Sequence, residues 1–322
     1  MLEFWSFVFV IAGIYTIFSL ALLIQFGIAG LPNFGNGAFM AISAYTMAIG
    51  VARYELPLIV AGPLAILAAV LFGLVLAIPT LRLRSDYLAI ATIAAGEIVR
   101  YLALNLQELT GGAAGTVNIL GPGIAADYNS EWLGLQTHVR RGLSALIGTR
   151  VSSDIAMSAI VWPVALLLVA VTWYLVRSPW GRVLRAMRED EEAATALGKD
   201  IFRYKLQAFS AGAALAGLAG LFLAWQVSSF NPDDFRPTLT FYAFVIVILG
   251  GKTNVWSVPV SAIVFSVIFA STRFLDFWPL SLFSSGDRAY LRLVLVGLAL
   301  MALILWRPQG LLGNRREDAH ET

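Results

Sequence analysis

Glu97 and Arg100 stand three residues apart in a run, about 87–107, that is otherwise almost wholly apolar. On a helix that spacing sets a carboxylate and a guanidinium on one face, close enough to pair. At membrane depth such a pair is either a pathway element or a pin between neighbouring helices. Asn33 and Asn36 bring two more polar groups to the start of another apolar run, with the same two readings open. The sequence Gly250-Gly251-Lys252-Thr253 looks like the tail of a phosphate-binding loop. The full pattern needs a glycine five places before Gly251, and Ile246 stands there, so the backbone lacks the residue that lets it wrap phosphate. Nucleotide binding is rejected here, and any ATP must be handled by another chain. The chain has no cysteine, hence no thiol nucleophile, thiolate metal site or disulfide. Its two histidines, His138 and His320, both lie in polar segments. No catalytic residue, metal site, cofactor or nucleic-acid partner is expected.

The densest charge falls at residues 177–205, which hold 7 of the 22 Lys and Arg residues. Pro179 and Gly181 break the preceding apolar run. Val183 to Leu197 is then rich in helix formers, and Gly198 ends it as glycine does after a helix. Arg185 and Glu189, and Arg188 and Glu192, are spaced i, i+4 for pairing. Ala193, Ala194, Ala196 and Leu197 make a small patch. One short helix offered to a groove in a partner is the expected form.

These segments hang on membrane spans. The chain is 59% hydrophobic and 13% charged, against about 45–50% and 25% in soluble domains. The fold class expected is all-α, a polytopic transmembrane bundle of about 8–10 spans. Nine are placed at about 4–25, 34–52, 57–78, 87–107, 155–176, 206–227, 240–250 with extensions, 255–273 and 289–306. The first lacks the basic flank of a cleaved signal peptide and is taken as retained. Putting 177–205 inside the cell places 13 basic residues on that side against 7 outside, so the N-terminus lies outside and the C-terminus inside. The whole chain, 1–322, is read as one transmembrane domain with a cytoplasmic segment at 177–205 and an outer loop at 108–153. That loop starts with a Gly-rich stretch at 110–115, either flexible or tightly turned, and holds Trp132, a surface helix from Leu133 to Ile147, and Arg140-Arg141, which suit an outside partner or lipid head groups. Gly27 to Met40, dense in Gly, Pro and Asn, is either a cytoplasmic turn or a broken helix lining a cavity. Ala216, Gly220 and Ala224, beside Ala213 and Gly217, form small-residue rows for close helix packing.

The run Glu192-Ala193-Ala194-x-x-x-Gly198 resembles the signature by which permeases of ATP-binding-cassette importers dock onto their ATPases, without the usual downstream Ile-x-Leu-Pro. Further stretches, in order, are Gly30-Leu-Pro-Asn-Phe-Gly-Asn-Gly-Ala, Leu83-Arg-Ser-Asp-Tyr with Gly96-Glu-Ile-Val-Arg100, Thr110-Gly-Gly, Trp180-Gly-Arg-Val-Leu-Arg, Leu249-Gly-Gly and Arg307-Pro-Gln-Gly-Leu. Together, over roughly 27–313, they resemble the branched-chain amino acid permease family of these importers. Asn36 stands where that family usually carries His or Gln. The resemblance implies a multi-pass inner (plasma) membrane subunit, itself not an enzyme, carrying branched-chain or other neutral amino acids. It implies ATPase subunits, a second permease chain and a periplasmic amino-acid-binding protein as partners, besides membrane lipid. Arg185, Arg188, Glu189, Glu192, Ala193, Ala194 and Gly198 would then face the ATPase. Urea or a short amide is the alternative cargo. An ion-driven transporter is a lesser alternative, since it needs a relay of intramembrane acids and only Glu97 qualifies.

Overall fold

The computed structural model describes residues 2–121, 127–227 and 229–271, with the single positions Val294, Gly297, Leu298, Met301, Gly310 and Leu311. Helix α1 (Leu2–Leu22) loosens into a π turn at Leu23–Ile28, followed by α2 (Asn36–Tyr54), α3 (Leu58–Thr80) and α4 (Ser85–Asn105). A short α5 (Gln107–Thr110) and a 3-10 turn (Gly112–Asn118) lead to α6 (Ser130–Ile147) and α7 (Ser153–Arg177). Then come α8 (Pro179–Glu189), α9 (Glu191–Ala196) and α10 (Ile201–Gln226). A 3-10 turn at Pro232–Phe235 precedes α11 (Pro237–Gly250) and α12 (Ser257–Ser271). No strand occurs among the described residues.

α1 with its π turn, α3, α4, α7 and α10 are each long and apolar enough to cross a bilayer. The chain is a polytopic helical membrane bundle. The first eight expected spans each meet a helix, with ends shifted by a few residues. The seventh, α11, has only 14 residues, about 21 Å of helix, short of a hydrocarbon core of about 30 Å. The ninth, 289–306, lies outside the described residues apart from isolated positions.

α10 is the central post, packed on α1, α2 and α3. Its small residues explain the closeness. Gly220 lies against the Met40 backbone, Gly217 against Ala69 and Ser43, and Ala213 faces Gly73. With no net hydrophobic drive in lipid, such backbone approach is what gains dispersion contact. α3 sits at the rim, and its outward stripe of Val60, Leu64, Leu67, Leu71, Val75 and Ile78 is wholly aliphatic, as lipid requires. α4 is also largely uncovered, but its outward stripe mixes Tyr87, Ile90, Ile98 and Tyr101, and Glu97 is partly exposed beside it.

Side-chain contacts sort the loops into two ends. At one end Arg188 reaches the Gly27 carbonyl, and the Lys252 carbonyl touches Gly27. At the other, Arg53 donates to the Glu108 carbonyl, Glu131 accepts from the Leu58 N–H, and Arg100 pairs with Asp233. The Gly-rich stretch at 110–115 is tightly turned, with positive φ at Gly111, Gly112 and Gly115, and is pinned by Thr116, whose N–H and hydroxyl both meet the Phe230 carbonyl. The surface helix starts at Ser130, three residues before the expected Leu133, and packs on α7. Trp132 is buried, stacked on Trp225 at 4.2 Å between ring centres. Nearby, burial pushes the Tyr128 phenol up to about 12, against the pull of a hydrogen bond with Thr116.

Candidate functional site

The charged segment does not form the single helix expected from Val183 to Leu197. α8 ends at Glu189, and Asp190 leaves helical geometry with φ −150° and ψ 105°. Its Oδ1 then accepts from the Ala193 N–H at 2.9 Å and caps α9. Aspartate is among the preferred helix N-caps because its oxygen satisfies an otherwise orphan amide. The signal was present in Asp190-Glu-Glu-Ala193, but a run of helix formers on both sides concealed it.

α8 buries Gly181, Leu184 and Met187 against the bundle, while Trp180 donates from Nε1 to Gln207 Oε1 on α10 at 2.8 Å. Glu189, Glu192, Ala193 and Gly198 are exposed, and Leu197 is 79% exposed at the tip. Gly198 closes α9 with φ +76°, a left-handed conformation that glycine adopts without penalty. Three of the seven residues expected to face a partner turn inward instead. Ala194 is buried. Arg185 Nη2 reaches back to the Val176 carbonyl at 3.3 Å. Arg188 lies half-buried, with Nη1 donating to the Gly27 carbonyl at 2.5 Å. Each is stopped by its position on the bundle side of a short helix, which composition alone does not reveal. Glu191, not its neighbour Glu192, pairs with Lys205 of α10, at 2.6 Å.

Asn33 and Asn36 lie where the chain folds back into the bundle, and both are fully buried. Gln25, which sequence reasoning missed, joins them. Its Oε1 accepts from Asn36 Nδ2 at 2.9 Å and Asn33 Nδ2 at 3.2 Å, and its Nε2 donates to the Phe209 carbonyl of α10 at 3.0 Å. Asn33 Oδ1 accepts from the Gly35 N–H at 2.9 Å. Buried amides are retained when paired in this way. From there Phe34 N–H donates to Thr92 Oγ1 on α4, and Gly37 N–H to Thr240 Oγ1 on α11.

Glu97 and Arg100 do pair. Arg100 Nη2 lies 2.6 Å from Glu97 Oε2, and Nε contacts both carboxylate oxygens. Nη1 reaches Asp233 Oδ1 at 2.7 Å, and Asp233 also holds Arg236 at 2.9 Å. The cluster therefore ties α4 to the turn before α11. It opens on the uncovered face of α4, away from the α8–α9 end. Among the described residues no group of His, Asp or Glu could hold a metal.

Residues 4–305 match the family model described as the branched-chain amino acid transport system permease component. The chain belongs to the branched-chain amino acid transport system permease family. The matched range covers every helix from α2 to α12 and nearly all of α1. The high-affinity branched-chain amino acid transport system permease protein LivM of Escherichia coli (strain K12) is 38% identical, over 94% of this permease and 68% of that relative. The probable branched-chain amino acid transport permease protein LivM of Methanocaldococcus jannaschii is 27% identical over 94% and 91%. LivH of Escherichia coli (strain K12), named as a permease protein of a high-affinity branched-chain amino acid transport system, is 26% identical over 92% of each chain. No solved structure matches. This chain is thus a multi-pass membrane permease, a transport subunit and not an enzyme.

Proposed function

We propose that this permease is the membrane subunit of an ATP-binding-cassette importer for branched-chain or other neutral amino acids, seated in the inner (plasma) membrane. Separate ATPase subunits grip the rim of α8 and α9 made by Glu189, Glu192, Ala193, Leu197 and Gly198. The observation that carries this reading is the shape of that rim. It is a charged and small-residue projection hung between α7 and α10, with its apolar side packed on the bundle and its other side free. A short helix presented in this manner suits a partner's groove. The permease forms one domain, with 177–205 as the coupling segment and 108–153 as the outer loop where a periplasmic binding protein docks.

The second permease chain meets the uncovered face of α4. Escherichia coli relatives of two names, LivM and LivH, both match this chain nearly end to end, and like folds pair most simply by like faces. A partly exposed Glu97–Arg100–Asp233 cluster is costly against lipid but not against a protein-lined, hydrated pathway. Glu97 and Arg100 then stand at the pathway wall, while Asn33 and Asn36 brace the helix behind it.

The test is purification of the permease with its operon neighbours. An ATPase should co-purify with wild type and be lost from Glu192→Lys, which reverses charge at the rim. Leucine, isoleucine or valine should compete for uptake where urea and acetamide do not. Ion-driven uptake by the permease purified alone would sink the importer reading.

A further inference from the structure

We propose that Arg188 and the folded-back segment 25–36 form the strut by which α8 drives the transmembrane bundle. This rests on the reading that α8 and α9 grip an ATPase. A simpler route would pass motion along the chain into α7 and α10, which flank α8 and α9 directly. The covalent joints on that route are bends. Ser178 leaves the helix before α8, Asp190 interrupts α8 and α9, and Gly198 turns left-handed before α10. A bend yields under load where a packed side chain does not.

Arg188 offers the stiffer contact. Its guanidinium donates to the Gly27 carbonyl, and its stem crosses Gly30 so closely that a Cβ on Gly30 would lie 2.8 Å from Arg188 Cγ. Gly30 has φ +71°, so both its space and its conformation are reserved for the arginine. The segment receiving the push is itself tied. Leu31 N–H bonds the Gln25 carbonyl at 2.7 Å, Ala29 N–H the Ile24 carbonyl at 3.1 Å, and Gly27 rests on the Lys252 carbonyl. Gln25 then links the segment to α10 through Phe209 and to α2 through Asn36. Phe34, just before α2, in turn bonds Thr92 of α4, and Gly37 in the first turn of α2 bonds Thr240 of α11. A buried polar network with its partners satisfied is rigid. Displacement of Gly27 is therefore passed on to α2, α4 and α10 together. Arg188 is a positioning residue, aimed at the membrane bundle and not at the ATPase.

The chain has no cysteine, which allows a direct test in the complete complex reconstituted into proteoliposomes with leucine as the probe. Arg188→Ala should keep its ATPase and its ATP hydrolysis, yet lose about tenfold in leucine moved per ATP, a coupling change of ordinary size. Arg188→Lys should recover part of that ratio. In the pair Gly30→Cys with Arg188→Cys the two Cβ atoms would lie 3.4 Å apart, close to disulfide spacing. The reduced pair should be uncoupled, and oxidation should restore the ratio because a covalent link replaces the arginine. An unchanged ratio in Arg188→Ala would overturn the strut, as would an oxidised pair that stays uncoupled. Loss of the ATPase from Arg188→Ala alone would also overturn it, by showing that Arg188 faces the partner. Absence of any ATPase from the wild-type complex would instead sink the reading on which the strut rests.

Discussion

At the scale of single residues, the buried amides and the left-handed glycine carry costs that can be weighed. Gln25 satisfies two asparagine donors and spends its own donor on Phe209. Gln25→Leu keeps the volume roughly constant but orphans those groups, at about 1–3 kcal/mol for the buried polar atoms left unpaired. We expect a lower melting temperature in detergent and reduced uptake, read by thermal unfolding and transport. Gly198→Ala places a Cβ in left-handed geometry and costs about 1–2 kcal/mol locally. Gly198→Pro fixes φ near −65° and cannot adopt the observed +76° at all. Coupled transport should fall further in the proline variant than in the alanine one. Neither Gln25 nor the inward aim of Arg188 was legible in the sequence. A glutamine at the end of an apolar run looks like an interface residue until the fold-back that buries it is known. Glu97 with Arg100, by contrast, was legible, because i, i+3 spacing on a long helix leaves little freedom in where two side chains meet.

At the scale of elements, helix identity was readable from apolar run length, and helix interruption was not. The runs at 57–78 and 155–176 became α3 and α7 with small end shifts, since run length and hydrocarbon thickness fix them together. The break between α8 and α9 depends on one aspartate choosing a cap over continuation. Asp190→Ala removes that choice and loses the hydrogen bond to the Ala193 N–H. Helix propensity then favours one continuous rod, as the sequence alone suggests. A continuous rod would swing Glu192 and Leu197 away from their present direction. The expected outcome is normal insertion with weakened ATPase co-purification, checked by pull-down from detergent extracts. On α4 the matter is burial. Arg100→Ala leaves Glu97 without its bidentate partner and releases Asp233 from α4. Glu97→Gln keeps a hydrogen-bond acceptor for Arg100. If the cluster only pins helices, Glu97→Gln should transport normally and Arg100→Ala should be the less stable variant. Impaired uptake in Glu97→Gln with unchanged stability would assign the carboxylate to the pathway.

For the whole molecule, the two sets of loops must lie on opposite faces of the bilayer, because α7 separates α6 from α8 by one crossing of 25 residues. The basic-residue count predicts that 177–205 faces the cytoplasm. Leu197 and Leu146 are exposed probes of the two faces, at 79% and 85%. In a chain without cysteine each can be replaced singly, giving one reactive thiol against a silent background. Leu197→Cys should resist a membrane-impermeant maleimide in intact spheroplasts and react only after the membrane is opened. Leu146→Cys should react in both conditions. The coupling reading needs this polarity, since an ATPase fed by cytoplasmic ATP cannot grip a helix on the far side. Labelling of Leu197→Cys from outside would reverse the molecule in the membrane and remove α8 and α9 from the reach of any ATPase, even though every helix and hydrogen bond described above would stay as it is.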